Sequence, residues 1–343
     1  MILVTGATGL LGSHLVLHLV EKGLKISAIY RSETSISKTL ELFKMYDKES
    51  YFQNINWIEA DINDIPSLEI AFLNINYVYH CAAKVSFDPQ DEEKLRKVNI
   101  EGTANIVNFC LAKKVKKICY VSSIAALGDL PEFTPEYAEQ NSSIALDEDT
   151  DWNPEKPHSD YAISKYGAEM EVWRGHQEGL NVVIVNPGVI LGPVPKTWNR
   201  NQGSFKIIKK VSEGLKFFTN GSTGFIGVDD VVKCMTRLMN SETNDQRYIL
   251  ISENLTYKKL TQTVAADLKV KAPKTEAKSW MTEIAWRVDW VANNIFLRDR
   301  MLSKSMAKSL HSVDLYSNSK ATNFLNYSFE PMESVIKKIA NRY

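Results

Sequence analysis

The chain has 343 residues, of which 44% are hydrophobic and 24% charged, and its 41 basic residues balance 41 acidic ones. This length and composition predict a folded chain with two domains, or with one domain and a lobe, and exclude long disordered segments. The balanced charge offers no broad field to nucleic acid or an anionic membrane, so we expect a small-molecule ligand.

The four cysteines have neither the spacing of metal ligands nor the density of a disulfide framework. We therefore expect reduced thiols and no metal site. Met1 leads directly into an apolar segment, without a basic region or a cleavage site, and no uncharged apolar run reaches about 20 residues. These features predict a cytoplasmic protein without a membrane span.

The first 30 residues predict the beginning of a parallel sheet. Apolar runs at 2–4 and 26–30 flank a stretch with apolar residues at helical spacing, 10–20. Such a strand, turn, helix and strand start a βαβ unit. The turn between the first strand and the helix has a glycine at every third position, which lets a pyrophosphate approach the backbone at the helix N-terminus. Its residues are predicted to bind a dinucleotide: Thr5, Gly6, Thr8, Gly9, Leu10, Leu11 and Gly12.

A second glycine triplet has the same spacing. Gly221, Gly224 and Gly227 precede Asp229 and Asp230, whose carboxylates would repel a pyrophosphate. We interpret this copy as a loop that leads into a helix.

The residue after the second predicted strand bears on the choice of cofactor. At this position a carboxylate would bind the 2′-hydroxyl of NAD, whereas a cation suits the 2′-phosphate of NADP. The chain has Arg31 and Ser32 there. We predict that NADP is preferred, with NAD as the second option; the alternative is that Arg31 is a solvated loop residue.

Four further segments are expected at the carboxyl edge of the sheet, where ligands of open α/β sheets bind. A strand at 57–61 ends in a turn with Asp61 and Ile62, and a strand at 77–83 ends in the small residues Cys81, Ala82 and Ala83. A strand at 116–123 delivers Ser122 and Ser123. A strand at 182–186 is followed by Pro187 and Gly188.

A phenol and an ammonium stand four residues apart at Tyr161 and Lys165, in a helix that we expect Asp160 to cap. On a helix the two side chains share one face and reach one reacting centre. A tyrosine that exchanges protons at neutral pH needs its pKa lowered by about 3 units, and a neighbouring lysine supplies part of that shift. The spacing recurs at Tyr316 and Lys320, so context must decide between the copies.

The rest of the chain is predicted to be mainly helical. Residues 95–113 form a helix that carries Asn99, and 129–157 form an exposed loop. The alternation of strands and helices becomes irregular over 189–223. We then predict a helix at 228–239, a strand at 248–252, and helices to the end of the chain with a short strand near Phe329. The apolar stripe of 280–296 is interpreted as core packing or a substrate wall rather than as a membrane-surface helix.

In order and spacing, these motifs resemble those of extended short-chain dehydrogenase/reductases, in the NAD-dependent epimerase/dehydratase group. The resemblance spans nearly the whole chain and rests on six segments: 5–12, 61–62, 80–83, the set Asn99, Ser123, Tyr161 and Lys165, 186–188, and 227–231. It implies an α/β fold with a Rossmann-type doubly wound parallel sheet in 1–187, completed by about 226–252. It implies a smaller, mostly helical C-terminal substrate lobe from 188–225 and 253–343.

The resemblance also implies roles. Hydride would pass between a nicotinamide and a carbonyl or secondary alcohol, with Tyr161 as acid and base and Ser123 bonded to the substrate oxygen. Lys165 would hold the nicotinamide ribose and favour the tyrosinate, and Asn99 would anchor a water. Counting five residues back from Gly128 selects Ser123 over Ser122. The copy at Tyr316 has no strand-borne serine about forty residues before it.

Within the group, the nearest likeness is to dihydroflavonol-reductase-like carbonyl reductases and 3β-hydroxysteroid dehydrogenase relatives, supported by Arg31 and the segment 84–87. The alternatives are an epimerase or dehydratase of nucleotide sugars that retains NAD, and a non-catalytic dinucleotide sensor. The resemblance further implies a homodimer through the helix after Asn99 and the helix of Tyr161. It leaves the substrate open.

Overall fold

A seven-stranded parallel sheet forms the centre of the computed structural model, which describes residues 1–129, 145–200, 203–296 and 302–343. The strand order is β10-β6-β5-β4-β1-β2-β3, and every neighbouring pair is parallel. The order reverses between β1 and β4, as in the doubly wound fold. The seven strands are β1 Ile2–Thr5, β2 Ile26–Tyr30, β3 Ile55–Glu59, β4 Tyr77–His80, β5 Lys117–Val121, β6 Val182–Pro187 and β10 Gln246–Leu250.

Helices cover both faces of this sheet, and further helices pack outside it. They are α1 Leu10–Glu21, α2 Glu33–Met45, α3 Ile65–Ala71, α4 Glu92–Leu95, α5 Gly102–Ala112, α6 Asp160–Gln177, α7 Phe205–Ser212, α8 Val228–Asn240, α9 Tyr257–Asp267, α10 Ser279–Phe296, α11 Lys304–Ser309, α12 Ser319–Leu325 and α13 Met332–Ala340. Two apolar cores result, one between the sheet and α1, α2 and α8, and one between the sheet and α3, α5 and α6. Strand β6 is buried along its whole length, as a strand covered on both faces must be. The predicted fold class is confirmed.

A third apolar core lies outside the central sheet. It joins α7, α9 and α13 through residues such as Ile208, Leu260 and Ile336. Two small sheets accompany it: β7 Val189–Leu191, β9 Ser222–Gly227 and β11 Glu253–Thr256 form one, and β8 Phe217–Phe218 and β12 Thr275–Glu276 the other. The division of the chain into a dinucleotide-binding domain and a substrate lobe stays a prediction, as does the homodimer.

Four local predictions need correction. The second glycine triplet is not a loop: Gly224 and Gly227 lie in strand β9, which leads into α8 as expected, and Gly221 directly precedes the strand. Ser159, not Asp160, caps α6, since its hydroxyl accepts the Ala162 N–H at 3.1 Å. The helix predicted over 95–113 contains a π-helical turn, Arg96–Glu101. Phe329 lies in an irregular segment between α12 and α13.

The apolar stripe predicted at 280–296 also differs from the expectation of core packing. Trp280, Ile284 and Val288 of α10 are exposed to solvent. Within the described ranges, no helix is both long enough and apolar enough to cross a bilayer.

Candidate active site

The glycine turn lies at the point where the strand order reverses, with the ends of β1 and β4 side by side. Gly6 has a φ of +67°, and a Cβ on it would lie 2.7 Å from the backbone N of Ala82. A Cβ on Gly12 would lie 2.1 Å from the Gly6 carbonyl oxygen. These two glycines are therefore required by the packing of the turn itself.

Gly9 differs from its two neighbours in the triplet. Its φ of −90° is open to any residue, and a Cβ there would meet only the Gly6 oxygen, at 3.4 Å. Gly9 is exposed and forms the N-cap of α1 without a side-chain hydrogen bond to the first turn. Open space above Gly9 and an uncapped helix N-terminus fit a dinucleotide pyrophosphate, which would accept bonds from the free N–H groups.

The residues predicted to bind the adenosine follow β2 and β3. Those after β2 are exposed, and those after β3 are held by hydrogen bonds. Arg31 and Ser32 follow β2 at the surface, and Arg31 has no ion-pair partner among the described residues. The Asp61 carboxylate accepts the Asn63 N–H at 2.9 Å and so shapes its own turn. Ile62 is buried and its carbonyl accepts from Asn105 at 2.9 Å, which fixes this turn to α5.

The ends of β1 and β4 are joined by a buried hydrogen-bond network that the sequence reasoning missed. Thr5 Oγ1 lies 2.7 Å from His80 Nδ1 and accepts the Ala82 N–H at 3.1 Å. His80 Nε2 lies 3.0 Å from the Thr103 hydroxyl. Burial lowers the pKa of His80 to about 3, with help from nearby Lys165, so the ring is neutral and serves structure rather than acid catalysis. The network positions the backbone of Cys81, Ala82 and Ala83 beside the glycine turn.

The phenol of Tyr161 lies next to the Ser123 hydroxyl at the carboxyl edge of β5. Burial raises the pKa of Tyr161, and the hydrogen bond from Ser123 acts in the opposite direction. The Phe87 ring packs against the Tyr161 ring at a centroid distance of 5.5 Å. In this state the phenol is protonated at neutral pH, and the lowered pKa expected for Tyr161 is not found, because burial outweighs the opposing hydrogen bond.

Lys165 is almost fully buried one helical turn beyond Tyr161. Its Nζ donates to the Tyr120 hydroxyl at 2.7 Å and to the Val121 carbonyl at 2.8 Å. Burial lowers the pKa of Lys165 to about 7, although the neighbouring carboxylate of Glu169 opposes this shift. Tyr120 was not predicted, because its contact with Lys165 spans 45 residues of sequence.

The two candidate serines have different environments. The hydroxyl of Ser122 donates to the buried Glu169 carboxylate at 2.5 Å. The same carboxylate accepts from Asn186 at 2.9 Å and from Arg247 at 3.1 Å. Ser122 is thus engaged in a structural network, whereas Ser123 faces the phenol. Sequence reasoning missed Glu169; its position eight residues after Tyr161 was the available signal, because it places Glu169 on the same helix face.

Asn99 lies in the π-helical turn and is 1% exposed. Its side-chain oxygen accepts the Lys84 N–H at 2.7 Å, and its amide donates to the Lys84 carbonyl at 3.0 Å and to the Ser164 hydroxyl at 2.9 Å. Both amide hydrogens and the oxygen are therefore in use within the protein. The oxygen retains a second lone pair, to which a water could donate. A π-helical turn is a type of irregularity that is frequent at functional sites.

The last predicted cofactor segment closes the same edge of the sheet. Pro187 ends β6, and the Gly188 N–H donates to the Leu250 carbonyl at 3.0 Å. A Cβ on Gly188 would lie 2.4 Å from the Gly224 carbonyl oxygen, so this glycine lets β9 pack closely.

The second tyrosine and lysine pair does not form a comparable site. Tyr316 precedes α12 and packs against an apolar cluster that includes Ile249 and Ile251. The Nζ of Lys320 lies 5.3 Å from the centroid of the Tyr248 ring. Tyr316 and Lys320 are thus not on one helix and have separate partners.

Comparison with known proteins agrees with this geometry. The profile of the NAD dependent epimerase/dehydratase family matches residues 2–251. The chain belongs to the NAD-dependent epimerase/dehydratase family.

Relatives of this family member include reductases. The anthocyanidin reductase of Arabidopsis thaliana is 30% identical over 270 residues, which cover 73% of this chain and 75% of that protein. The dihydroflavonol 4-reductase of Callistephus chinensis is 26% identical over 266 residues, 76% of this chain and 71% of that protein. The predicted likeness to the dihydroflavonol-reductase group is therefore confirmed.

Solved structures with the same fold include epimerases. The UDP-glucose 4-epimerase of Thermotoga maritima, solved with UDP-glucose, superimposes with a TM-score of 0.75 over 99% of this chain and 97% of that chain. Its sequence is 18% identical, so the similarity concerns the fold. The family profile and the reductase relatives show that this chain belongs to an NAD-binding family with oxidoreductase members. They leave open whether it acts as a reductase or as an epimerase.

Proposed function

We propose that this protein is an NADP-dependent oxidoreductase that reduces a carbonyl group of a small organic molecule, or oxidises the corresponding secondary alcohol. The observation that carries the proposal is the convergence of the Ser123 hydroxyl and the Tyr161 phenol, with Lys165 one helical turn away, at the sheet edge that also holds the glycine turn. A proton donor and a hydroxyl donor at one point are what a developing alkoxide requires.

The glycine turn, Ser123 and Tyr161 would each have one role in the reaction. A bound nicotinamide would supply the hydride, and Gly9 with the start of α1 would hold its diphosphate. Ser123 would donate a hydrogen bond to the carbonyl oxygen, which stabilises the negative charge that grows there. Tyr161 would donate its proton to the same oxygen, and in the oxidative direction it would take the proton back.

Lys165 would tune that proton transfer. Its Nζ is held by Tyr120 and Val121, so its position is fixed before any ligand arrives. When protonated it favours the tyrosinate electrostatically and so makes the Tyr161 proton easier to release. Tyr120 would act as a positioning residue for this ammonium group.

The preference for NADP rests on Arg31. Its guanidinium is exposed at the end of β2, without an ion-pair partner in the part of the chain that the structure describes. It could form charge-assisted hydrogen bonds with a 2′-phosphate, assisted by Ser32 and by Lys38 on α2. Charge-assisted bonds are worth about 1.5–3 kcal/mol, so we expect NADPH to bind roughly ten- to hundred-fold more tightly than NADH. Arg31→Ala should remove this difference and leave NADH affinity unchanged.

The test is a titration of the purified protein with NADPH and NADH, followed by a screen of aromatic, steroid and short-chain carbonyl compounds for loss of reduced nicotinamide. Reduction of a carbonyl with NADPH supports the proposal. Protein that retains NAD through purification and reduces none of these compounds would instead support a nucleotide-sugar epimerase, and NADPH binding without any reduction would support a sensor.

A further inference from the structure

Helix α10 has its apolar face towards solvent. Five of the fifteen large hydrophobic side chains exposed on the described residues lie on this helix: Trp280, Ile284, Val288, Trp290 and Val291. They are between 45 and 61% exposed. Trp280, Ile284, Val288 and Val291 follow one another at intervals of four, four and three residues, so they form one stripe along the helix.

The polar side of α10 is the side attached to the protein. Thr282 and Asp289 are each only 7% exposed. The Thr282 hydroxyl lies 2.8 Å from His311 Nε2, and the Asp289 carboxylate accepts the Leu302 N–H at 2.9 Å, so polar bonds join α10 to residues next to α11. A helix attached through its polar side, with its apolar side facing water, is the reverse of an ordinary surface helix, and such a patch marks an interaction surface.

The region around this stripe is cationic. Residues 271–311 contain eight basic and four acidic residues, of which six and three lie in the described part, whereas the remainder of the chain has four more acidic than basic residues. Exposed cations lie before, on and beside α10 at Lys278, Arg287, Lys304 and Lys308. The acidic side chains of the helix are compensated, since Asp289 is buried and Glu283 is paired with Arg287. The neutral net charge of the whole chain therefore conceals a local positive surface.

We propose that the exposed face of α10 binds the surface of an anionic lipid membrane. Apolar and tryptophan side chains would enter the boundary between headgroups and acyl chains, and the flanking lysines would contact anionic headgroups. Charge argues against a second copy of this chain as the partner. A two-fold contact would bring the same cations together from both sides, and like charges in an interface oppose association. The proposal does not depend on the reaction that the protein catalyses.

Sedimentation with extruded vesicles tests the proposal on the full-length protein. Vesicles of phosphatidylcholine mixed with phosphatidylglycerol should bind the protein and shift its tryptophan fluorescence to shorter wavelength, and high salt should weaken the binding. The triple variant Trp280→Ser, Ile284→Ser and Val288→Ser should lose at least about ten-fold in vesicle affinity. Lys304→Gln and Lys308→Gln should each weaken it roughly five-fold.

A matched control is the double variant Ile70→Ser and Leu73→Ser, which alters two side chains as exposed as those of α10 but in and just after α3. It should bind vesicles like the wild type. Absence of binding to the anionic vesicles would overturn the proposal. So would a dimer that the triple variant abolishes, because the stripe would then bind a second copy. A loss of carbonyl turnover in the triple variant without lipid would assign the stripe to the substrate site and also overturn it.

Discussion

Two short sequence patterns each occur twice in this chain, and the two copies of each pattern have different structural environments. The glycine triplet at 6–12 surrounds an open turn at the end of β1, whereas Gly224 and Gly227 of the second triplet lie in β9, with Gly224 against Ile251. The pair Tyr161 and Lys165 occupies one helix face, whereas Tyr316 and Lys320 have separate partners. Identical spacing thus does not define a functional site by itself. A site forms only where a neighbouring segment adds a second group, such as the Ser123 hydroxyl or the unpaired N–H groups at a helix N-terminus.

The largest contrast is expected between the two tyrosines. Tyr161→Phe deletes the transferable proton and should lower turnover by about three to four powers of ten. Cofactor affinity should stay within a few fold, because the ring and its packing against Phe87 are retained. Steady-state rates and a cofactor titration measure both quantities. Tyr316→Phe is the matched control, and loss of turnover there instead would reverse the comparison.

The two adjacent serines give the next largest effect. Ser123→Ala removes the hydroxyl next to the phenol and should lower turnover roughly 10²- to 10³-fold. Ser122→Ala removes a donor from buried Glu169, so we expect lower thermal stability with turnover nearly unchanged. Turnover and a melting curve for each variant separate the two effects. The opposite ranking in turnover would show that Ser122 is the residue at the reacting oxygen.

The same substitution, glycine to alanine at the central position, should have different effects in the two glycine triplets. Gly9→Ala is tolerated by the backbone and meets no close neighbour, so the protein should stay folded while dinucleotide affinity falls at least about ten-fold. Gly224→Ala places a Cβ 2.5 Å from the Ile251 side chain and should lower stability instead. Cofactor titration and thermal denaturation of both variants check this. Equal losses of affinity would mean that the second triplet also contributes to cofactor binding.

The smallest expected effect is the uptake of a proton by Lys165 when the dinucleotide binds. In the free protein the pKa of Lys165 is lowered to about 7, so at pH 8 the amine is mostly unprotonated. An anionic dinucleotide and its ribose hydroxyls favour the ammonium form, so binding at pH 8 should take up as much as about one proton. The uptake should fade below pH 7, where the free protein is already protonated. Calorimetric titration in buffers of different ionisation enthalpy measures it.

Lys165→Met is the control for this last effect, since it should abolish the uptake. Uptake of the same size in that variant would assign the proton to another group. Glu169, on the same helix, is the neighbour whose charge acts on Lys165.

Local patterns were sufficient to predict most strands of the sheet, and its doubly wound layout followed from the family resemblance. The strands β1, β2, β4, β5 and β6 lie close to their predicted positions, because a buried parallel strand needs a continuous apolar run. The helix of Tyr161 was predicted from its polar cap region and from the spacing of Tyr161 and Lys165, and it begins at the expected place. The glycine turn was also recognisable, since its position between a strand and a helix limits what it can be. The predicted set of site residues lies along one sheet edge for the same reason: carboxyl ends of parallel strands meet there.

What the sequence could not reveal depends on contacts between distant segments. Tyr120 meets Lys165 across 45 residues, and Ser122 meets Glu169 across 47, so neither pair leaves a local pattern. The depressed pKa of Lys165 arises from burial, which is a property of the assembled core. Periodicity correctly gave α10 an apolar face, but only the bonds of Thr282 and Asp289 to their neighbours turn that face outward. A helical pattern defines which residues share a side, and the tertiary packing decides which side meets water.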